Sequence, residues 1–584
     1  MGKPGETRVQ AAQVLHGIPA APGFALGPAA VWAEEALDLP RFGGADPASE
    51  QERLEQARAR AREEIAALKE KMERETGGGE AEVFEAHQMF IEDRALLKRA
   101  QRAIEAGQNA EAAWMDAVEF YAAQLEALPD PTLSARSADV RDVGRRVLRL
   151  LLGREASGLR LERPSVVVAR DLTPSQTAGL DREQVLAFCT ADGGPTSHTA
   201  ILAKALGLPA VVALGPGLLS VGEGEALLVD GGSGEVVANP DPERLEAFKR
   251  LAERSARRRE AALSAAQEPA VTRDGLRVEV VANIGGPEDV PGALEQGAEG
   301  VGLFRTEFLF LERATLPTEE EQVQVYSQVF APLEGRPVVV RTLDIGGDKA
   351  VSYLGFSEEP NPFLGWRAIR MNEGRPDVFR SQARALLRAG ANTDLRIMAP
   401  MVSNLEEVHL ARTLLEEARQ SLLQEGLPCA RQVQFGVMVE VPSVAILAEV
   451  IARHVDFFSI GTNDLTQYTL AVDRTNARVA HLASPYHPAV LRLIEGTIRA
   501  AHEQGRWVGV CGELAGEALA APLLLGLGLD EFSMAPALIP QIKTILRKCS
   551  LADCRALAAR ALELSTTAEV QALLGEGAQE MGLL

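Results

Sequence analysis

Cysteine is scarce in this chain of 584 residues: there are five, at positions 189, 429, 511, 549 and 554, an odd number scattered along the sequence. That pattern excludes a disulfide framework and fits reduced thiols, and Cys549 and Cys554 lack the companions a zinc site needs. No apolar run approaches the ~20 residues that span a bilayer. The polar start, Met1 to Gln13, has no apolar core or cleavage site of an export signal, so a cytoplasmic protein without membrane insertion is expected. Basic residues are in the minority, 60 Lys and Arg against 82 Asp and Glu, for a net charge of -22. Such a surface repels nucleic acid and attracts a basic protein face at long range. No Walker-type glycine loop, dinucleotide fingerprint or kinase signature falls in a strand-to-helix context, so ATP is not the obvious phosphoryl source.

A chain this long exceeds one hydrophobic core, and typical domain sizes suggest roughly three or four. From Ser49 to Gly153 apolar residues recur at helical spacing: Leu54, Ala57, Ala61, Ile65, Leu68 and Met72, then Trp114, Val118, Tyr121 and Leu125, then Val140, Val143, Val147 and Leu151. Gly77-Gly78-Gly79 breaks the first run, and four or so helices form a bundle. Short β-branched runs follow at Ser165–Ala169, Gln184–Phe188, Ala210–Ala213, Ala226–Val229 and Glu235–Ala238. Pro240–Glu268 is charged and helical with little apolar face, a connector. Beyond Val271, eight strand candidates alternate with helical segments: Arg277–Asn283, Gly300–Arg305, Pro337–Arg341, Leu395–Pro400, Phe435–Glu440, Asp456–Gly461, Arg506–Cys511 and Glu531–Met534. That is the arithmetic of a (β/α)8 barrel.

His198 lies where Gly193-Gly194 break a strand-like run and a helix-forming run begins. Unpaired N–H groups and the helix dipole at such a mouth favour a phosphate and disfavour an imidazolium, keeping the ring neutral and nucleophilic. A phosphohistidine is expected there. In the barrel, Arg305, Arg341, Glu440 and Cys511 end the second, third, fifth and seventh strands, and Asn463-Asp464 fall in the loop after the sixth. Chemistry in this fold sits at the carboxyl ends of the strands, so these side chains share one mouth. Glu440 and Asp464 offer two carboxylates, the number that holds Mg²⁺ when substrate and water complete the octahedron. Arg305, Arg341, Arg367 and Arg474 supply planar forks for phosphate and carboxylate. Together they suit an enolate and a departing phosphoryl group, with Cys511, a thiol of ordinary pKa, as acid toward the enolate carbon. The histidine unit must then swing between donor and acceptor, with joints near Asn239 and Ala270.

These segments resemble Enzyme I of the bacterial sugar phosphotransferase system, the phosphoenolpyruvate-protein phosphotransferases, from His16 to the C-terminus. The blocks that carry the resemblance are Gly193 to Leu202, Gly302 to Phe310, Arg341 to Lys349, Asn361 to Arg370, Gly436 to Pro442, Asp456 to Arg474 and Cys511 to Leu514. The resemblance implies that His198 is phosphorylated through Nε2 and that Arg305, Arg341, Asn463, Asp464 and Arg474 hold phosphoenolpyruvate. It implies Glu440 and Asp464 as Mg²⁺ ligands, Cys511 as proton donor, the helical insertion as a docking site for the phosphocarrier HPr, and a homodimer through the barrel.

The expected architecture is multidomain α/β: a swivelling β/α phosphohistidine domain (14–48 and 154–239), an inserted α-helical bundle (49–153), a helical linker (240–270) and a (β/α)8 TIM barrel (271–584). Pro195 stands where many relatives have arginine, Thr475 where glycine is common, and the first dozen residues extend beyond the usual start. A dikinase or synthase that makes phosphoenolpyruvate shares the histidine unit and barrel but needs a large ATP-binding domain. A regulatory scaffold that only senses phosphoenolpyruvate would not need His198, Glu440, Asp464 and Cys511 together.

Overall fold

The computed structural model describes residues 12–32, 39, 46–76, 82–127, 131–154, 161, 163–194, 197–311, 313, 315–346, 352–355, 359–474, 476 and 478–583. Pro195, Thr475, the Gly77-Gly78-Gly79 break, Gly347 to Lys349, the first eleven residues and the side chains of His198 and Met72 lie outside that description. The chain divides into two compact units, Met1–Ala256 and Arg257–Leu584.

In the first unit, β1 (Gln13–His16), β2 (Ile18–Ala21) and β3 (Phe24–Trp32) precede the helical insertion. The sequence reading lists no strand here, because the run is rich in Ala, Pro and Gly and poor in the β-branched residues that mark strands. The insertion holds α1 (Pro47–Thr76), α2 (Glu82–Glu92), α3 (Arg94–Glu105), α4 (Ala110–Glu126) and α5 (Pro131–Leu151), five helices where four or so are expected. Asp93 caps α3 by accepting from the backbone N–H of Ala95 and Leu96, which separates α3 from α2 across a single residue. Leu54, Ala61, Ile65, Trp114, Val118, Val140 and Val147 meet in the bundle core, as their periodicity requires. Trp114 Nε1 donates to the Gly144 carbonyl at 3.0 Å, and a Cβ on Gly144 would stand 2.5 Å from Val118 Cγ1, so side chains of α4 lie directly on the backbone of α5.

The remaining strands are β4 (Ser165–Ala169), β5 (Val185–Thr190), β6 (Ala210–Val212), β7 (Ala226–Asp230) and β8 (Glu235–Ala238), and α6 (Pro174–Gly179) and α7 (His198–Leu206) lie between them. They assemble in the order β1-β8-β7-β3-β4-β5-β6-β2. The α7 helix joins two cores: Ala200 and Ala203 pack with the sheet, while Leu202 and Leu206 enter the bundle. After β8 comes α8 (Pro242–Ser264), whose single buried residue is Ala262. Ala270, expected as a joint, is instead buried in β9 (Ala270–Val271), and the boundary between the units falls inside α8.

In the second unit β9 pairs antiparallel with the start of β10 (Arg277–Ile284). The strands β11 (Val301–Phe304), β12 (Val338–Arg341), β13 (Leu395–Ala399), β14 (Val433–Val439), β15 (Phe457–Ile460), β16 (Trp507–Val510) and β17 (Glu531–Met534) continue in parallel, and β17 pairs back onto β10 to close the barrel. All eight expected strands form. Leu303, Val339, Met398, Met438, Phe457 and Cys511 cluster together within the barrel.

At the starting ends of the strands Glu531 is buried, with Arg396 Nη1 3.5 Å from one oxygen, yet neither oxygen has a hydrogen bond among the described residues. Burial therefore outweighs the ion pair and pushes the carboxyl up to about 8. A carboxyl raised on folding contributes stability below its unfolded pKa and loses it as pH rises through the folded value. Glu531→Gln should consequently unfold at higher denaturant than the parent at pH 9, by on the order of 1 kcal/mol, and show no such gain at pH 5. Equal gains at both pH values would contradict the burial of an ionising Glu531.

Candidate active site

The carboxyl ends of the barrel strands bring the expected residues together. Arg341 is the last residue of β12, while Arg305, Glu440 and Cys511 each follow their strand by one position. Asn463 and Asp464 lie not in a loop but in the first turn of the helix Thr462–Leu470, because the chain turns at Gly461 directly into helix. Residue 461 also faces Glu440, whose Oε2 would stand 3.2 Å from a Cβ there.

Arg341 and Arg367 are buried and held by carboxylates. Arg341 Nη2 donates to Glu307 Oε1 at 2.9 Å, and its Nη1 lies 3.1 Å from Asp344 Oδ2. Arg367 Nη2 donates to both Asp344 oxygens at 2.9 and 3.0 Å, and its Nε donates to Oδ1 at 3.2 Å. Burial works against both cations, but the adjacent carboxylates outweigh it and raise their basicity. The backbone that carries them is fixed as well. Thr306 Oγ1 donates to the Arg341 carbonyl, and Gln382 bonds both Thr306 Oγ1 and the Leu343 N–H. Gly346, at φ +117°, passes so close to Arg367 that a Cβ would stand 2.4 Å from the arginine's own Cβ. Arg305 opens to solvent, yet enough protein surrounds its guanidinium that desolvation, helped by the Arg341 cation, lowers its basicity.

Opposite these cations stand Glu440 and Asp464. Glu440 is 2% exposed, accepts from the Met401 N–H at 2.6 Å, and is pushed up to about 8 by burial and by the charges of Asp464 and Asp344. Arg474 Nη1 lies 3.2 Å from Asp464 Oδ1, an ion pair without hydrogen-bond geometry, so that this buried oxygen remains without a hydrogen-bond partner among the described residues. Two buried carboxylates with spare oxygen lone pairs fit a hard divalent cation that takes its other ligands from water or substrate. No cage of three or more His, Cys, Asp or Glu side chains occurs among the described residues.

Asn463 and Glu513 clasp each other: Asn463 Nδ2 donates to Glu513 Oε1 at 3.3 Å, and the Glu513 N–H donates to Asn463 Oδ1 at 3.2 Å. Between them, a Cβ on Gly512 would stand 1.9 Å from Thr462 Oγ1. Cys511 is buried with Sγ toward the Ile460 carbonyl. Its thiol is not of ordinary pKa, as the sequence reading has it, but is pushed up to about 11 by burial, so it is protonated at neutral pH. His198 opens α7 behind the cap Ser197, whose hydroxyl accepts from the Ala200 N–H at 3.4 Å, and the helix ends at Gly207 in the left-handed region.

Three family models cover the chain in succession: the N-terminal segment of PEP-utilising enzymes over residues 16–136, their mobile domain over 161–234 and their PEP-binding domain over 259–551. A phosphoenolpyruvate-protein phosphotransferase of Geobacillus stearothermophilus is 44% identical over 560 residues, 96% of this chain and 97% of the relative. That of Bacillus subtilis (strain 168) is 43% identical over 566 residues, 97% and 99% of the two chains. The chain belongs to the phosphoenolpyruvate-protein phosphotransferase family. A solution structure of an Enzyme I protein (nEIt) is similar over 41% of this chain and 99% of its own, at 38% identity and a TM-score of 0.37.

In this family member, several residues that shape the site escape a reading by strand position. Glu307 and Asp344 carry a usable signal, since each follows an arginine within the same short block. Gln382 and Tyr468 do not, because they arrive from helices and meet the site only in the fold; Tyr468 accepts from Arg367 Nη1 at 3.5 Å and donates to the Phe363 carbonyl. Asp344 is shared by two buried guanidinium groups, so its loss leaves uncompensated charge. Asp344→Ala should destabilise the chain by about 3–5 kcal/mol in denaturant titration, and Asp344→Leu combined with Arg367→Met should recover part of that loss. A single-variant cost below about 1 kcal/mol would contradict the shared pairing.

Proposed function

We propose that this chain transfers the phosphoryl group of phosphoenolpyruvate to its own His198 and then to a histidine of the phosphocarrier protein HPr, releasing pyruvate, as the first step of sugar uptake by the phosphotransferase system. The observation that carries this reading is the meeting, at one barrel mouth, of guanidinium forks, a spare carboxylate pair and a protonated thiol. The domain assignment follows: phosphohistidine domain at 14–48 and 154–239, HPr-docking bundle at 49–153, linker at 240–270, and a phosphoenolpyruvate-binding barrel at 271–584 that forms the homodimer. No helix among the described residues is long and apolar enough to cross a membrane, and the proposed compartment is the cytoplasm.

Arg305, Arg341 and Arg474 grip the anionic substrate, Asn463 orients it, and Arg367 braces the group through Asp344. Glu440 and Asp464 would hold the divalent cation, here proposed to be Mg²⁺, which when bound supplies positive charge to an enolate oxygen and a phosphoryl oxygen. Attack by the neutral imidazole of His198 forms a P–N bond as the P–O bond to the enol oxygen breaks. The enolate then takes a proton at C3 from the Cys511 thiol, and the thiolate regains one from water. Forks fixed in advance by Glu307 and Asp344 need little rearrangement as charge develops, which is the condition for strong electrostatic stabilisation.

His198→Ala should give no mass increase of one phosphoryl group on mixing with phosphoenolpyruvate and Mg²⁺, whereas the parent gains one and releases pyruvate; labelling of the variant at full stoichiometry would refute the assignment. Glu440→Gln and Asp464→Asn should each weaken Mn²⁺ binding, read by electron paramagnetic resonance, together with turnover. Arg305→Ala should slow phosphorylation of His198 on the order of 10²-fold, and a change below about threefold would remove it from the site.

A further inference from the structure

Asn283 is the penultimate residue of β10, at the catalytic mouth. Its strand neighbours Val278, Val280, Ala282 and Ile284 pack outward in the core between strands and helices, so Asn283 faces inward. Both ends of the amide are engaged: Nδ2 donates to the Cys511 carbonyl at 3.0 Å, and Oδ1 accepts from Ser533 Oγ at 2.5 Å. Ser533 lies on β17 in register with Val281. Room for its hydroxyl exists because the adjacent position is glycine, where a Cβ on Gly302 would stand 2.5 Å from Ser533 Oγ and 2.5 Å from Val281 Cγ2. The pairing of β10 with β11 steps from Ala282 opposite Val301 to Asn283 opposite Leu303, which leaves Gly302 as an extra residue in β11. Such a bulge re-aims side chains beside active sites.

Gly302, Ser533 and Asn283 thus lead, through one space and two hydrogen bonds, to the carbonyl of the residue that carries the thiol. The Cys511 N–H is held separately by the Ile460 carbonyl at 3.1 Å, so both ends of the Cys511 peptide framework are tied. We infer that Asn283, oriented by Ser533 beside the Gly302 bulge, is a positioning residue that sets the face from which Cys511 delivers its proton. The inference rests on the reading of Cys511 as the acid. In that step the S–H bond breaks, the enolate electron pair forms the new C3–H bond, and the thiolate recovers a proton from water. Asn283 exchanges no proton; it fixes the direction of Sγ, and a misplacement of about 1 Å at a reacting group costs on the order of 10²-fold.

The test uses the full chain and phosphoenolpyruvate stereospecifically deuterated at C3, turned over in tritiated water, with the chirality of the pyruvate methyl group as readout. The parent should give one configuration. Asn283→Ala, and Asn283→Asp, which keeps the shape but lacks the Nδ2 donor, should drift toward racemic product and slow pyruvate formation about 10-fold or more, while the extent of His198 phosphorylation is kept. Ser533→Ala should show a smaller loss of the same kind and serves if the Asn283 variants do not fold. Native steric course in a folded Asn283 variant, or in Ser533→Ala where the Asn283 variants do not fold, while Cys511→Ala loses it, overturns the inference. Native steric course in Cys511→Ala itself overturns the reading of Cys511 as the acid, and the inference falls with it.

Discussion

Buried charge is the constraint around which the barrel mouth is built. Asp344 takes up Arg367 through three donor contacts and Arg341 through a fourth, and Glu307 takes the other arm of Arg341. An unpaired guanidinium in such surroundings would cost several kcal/mol, so the forks exist there only because the carboxylates do. Their positions in turn dictate the backbone: a glycine where Arg367 needs passage, and a glutamine from the helix Pro376–Ala389 that holds Leu343, between Arg341 at the strand end and Asp344. Opposite them Glu440 lies beside Asp464, and burial together with the neighbouring carboxylates raises its carboxyl. Cations on one side and carboxylates with spare lone pairs on the other are a poor arrangement for stability. They are a good one for an anionic substrate that arrives with a metal ion.

The closed parallel barrel lets these groups meet because they come from the ends of several strands, β11, β12, β14 and β15, that open on one mouth. Substitutions in the loops therefore alter chemistry before they alter fold. The helical insertion and the eight-stranded sheet of the other unit are tied more intimately, since α7 contributes to both cores along opposite faces. Ile201, between those faces, remains exposed. A helix that packs on two sides has its first turn, and hence the backbone of His198, placed in this structure by contacts with both sheet and bundle.

Much of this architecture is legible in the sequence. The eight barrel strands show as short apolar runs alternating with helical segments, and Arg305, Arg341, Glu440 and Cys511 at the ends of four of them mark the mouth. The bundle followed from spacing alone, from Leu54 through Leu151. What remained hidden has physical causes. Strand β1 is only four residues long and β2 and β3 are rich in Ala, Pro and Gly, so all three owe their conformation to pairing with β8, β6 and β7, and with β4, rather than to local propensity. Asn463 and Asp464 read as loop because a nine-residue helix opening on Thr-Asn-Asp has no apolar start. Asn283 gave no sign because its significance lies in a carbonyl 228 positions away.

The thiol shows why position alone does not give chemistry. At the end of a strand Cys511 suggests a reactive sulfur, but a nucleophile needs a lowered pKa, and here burial pushes the thiol up to about 11 with Glu440 adding to the effect. That direction suits the opposite task. A thiol poised so high holds its proton through the approach of substrate and is not lost to thiolate at neutral pH. In the step proposed for it, the thiolate left behind is destabilised by the same burial, so its recapture of a proton is strongly downhill. The environment that makes Cys511 inert as a nucleophile therefore suits the acid role proposed for it, and on that proposal the hydrogen bonds to its backbone set where the acid points.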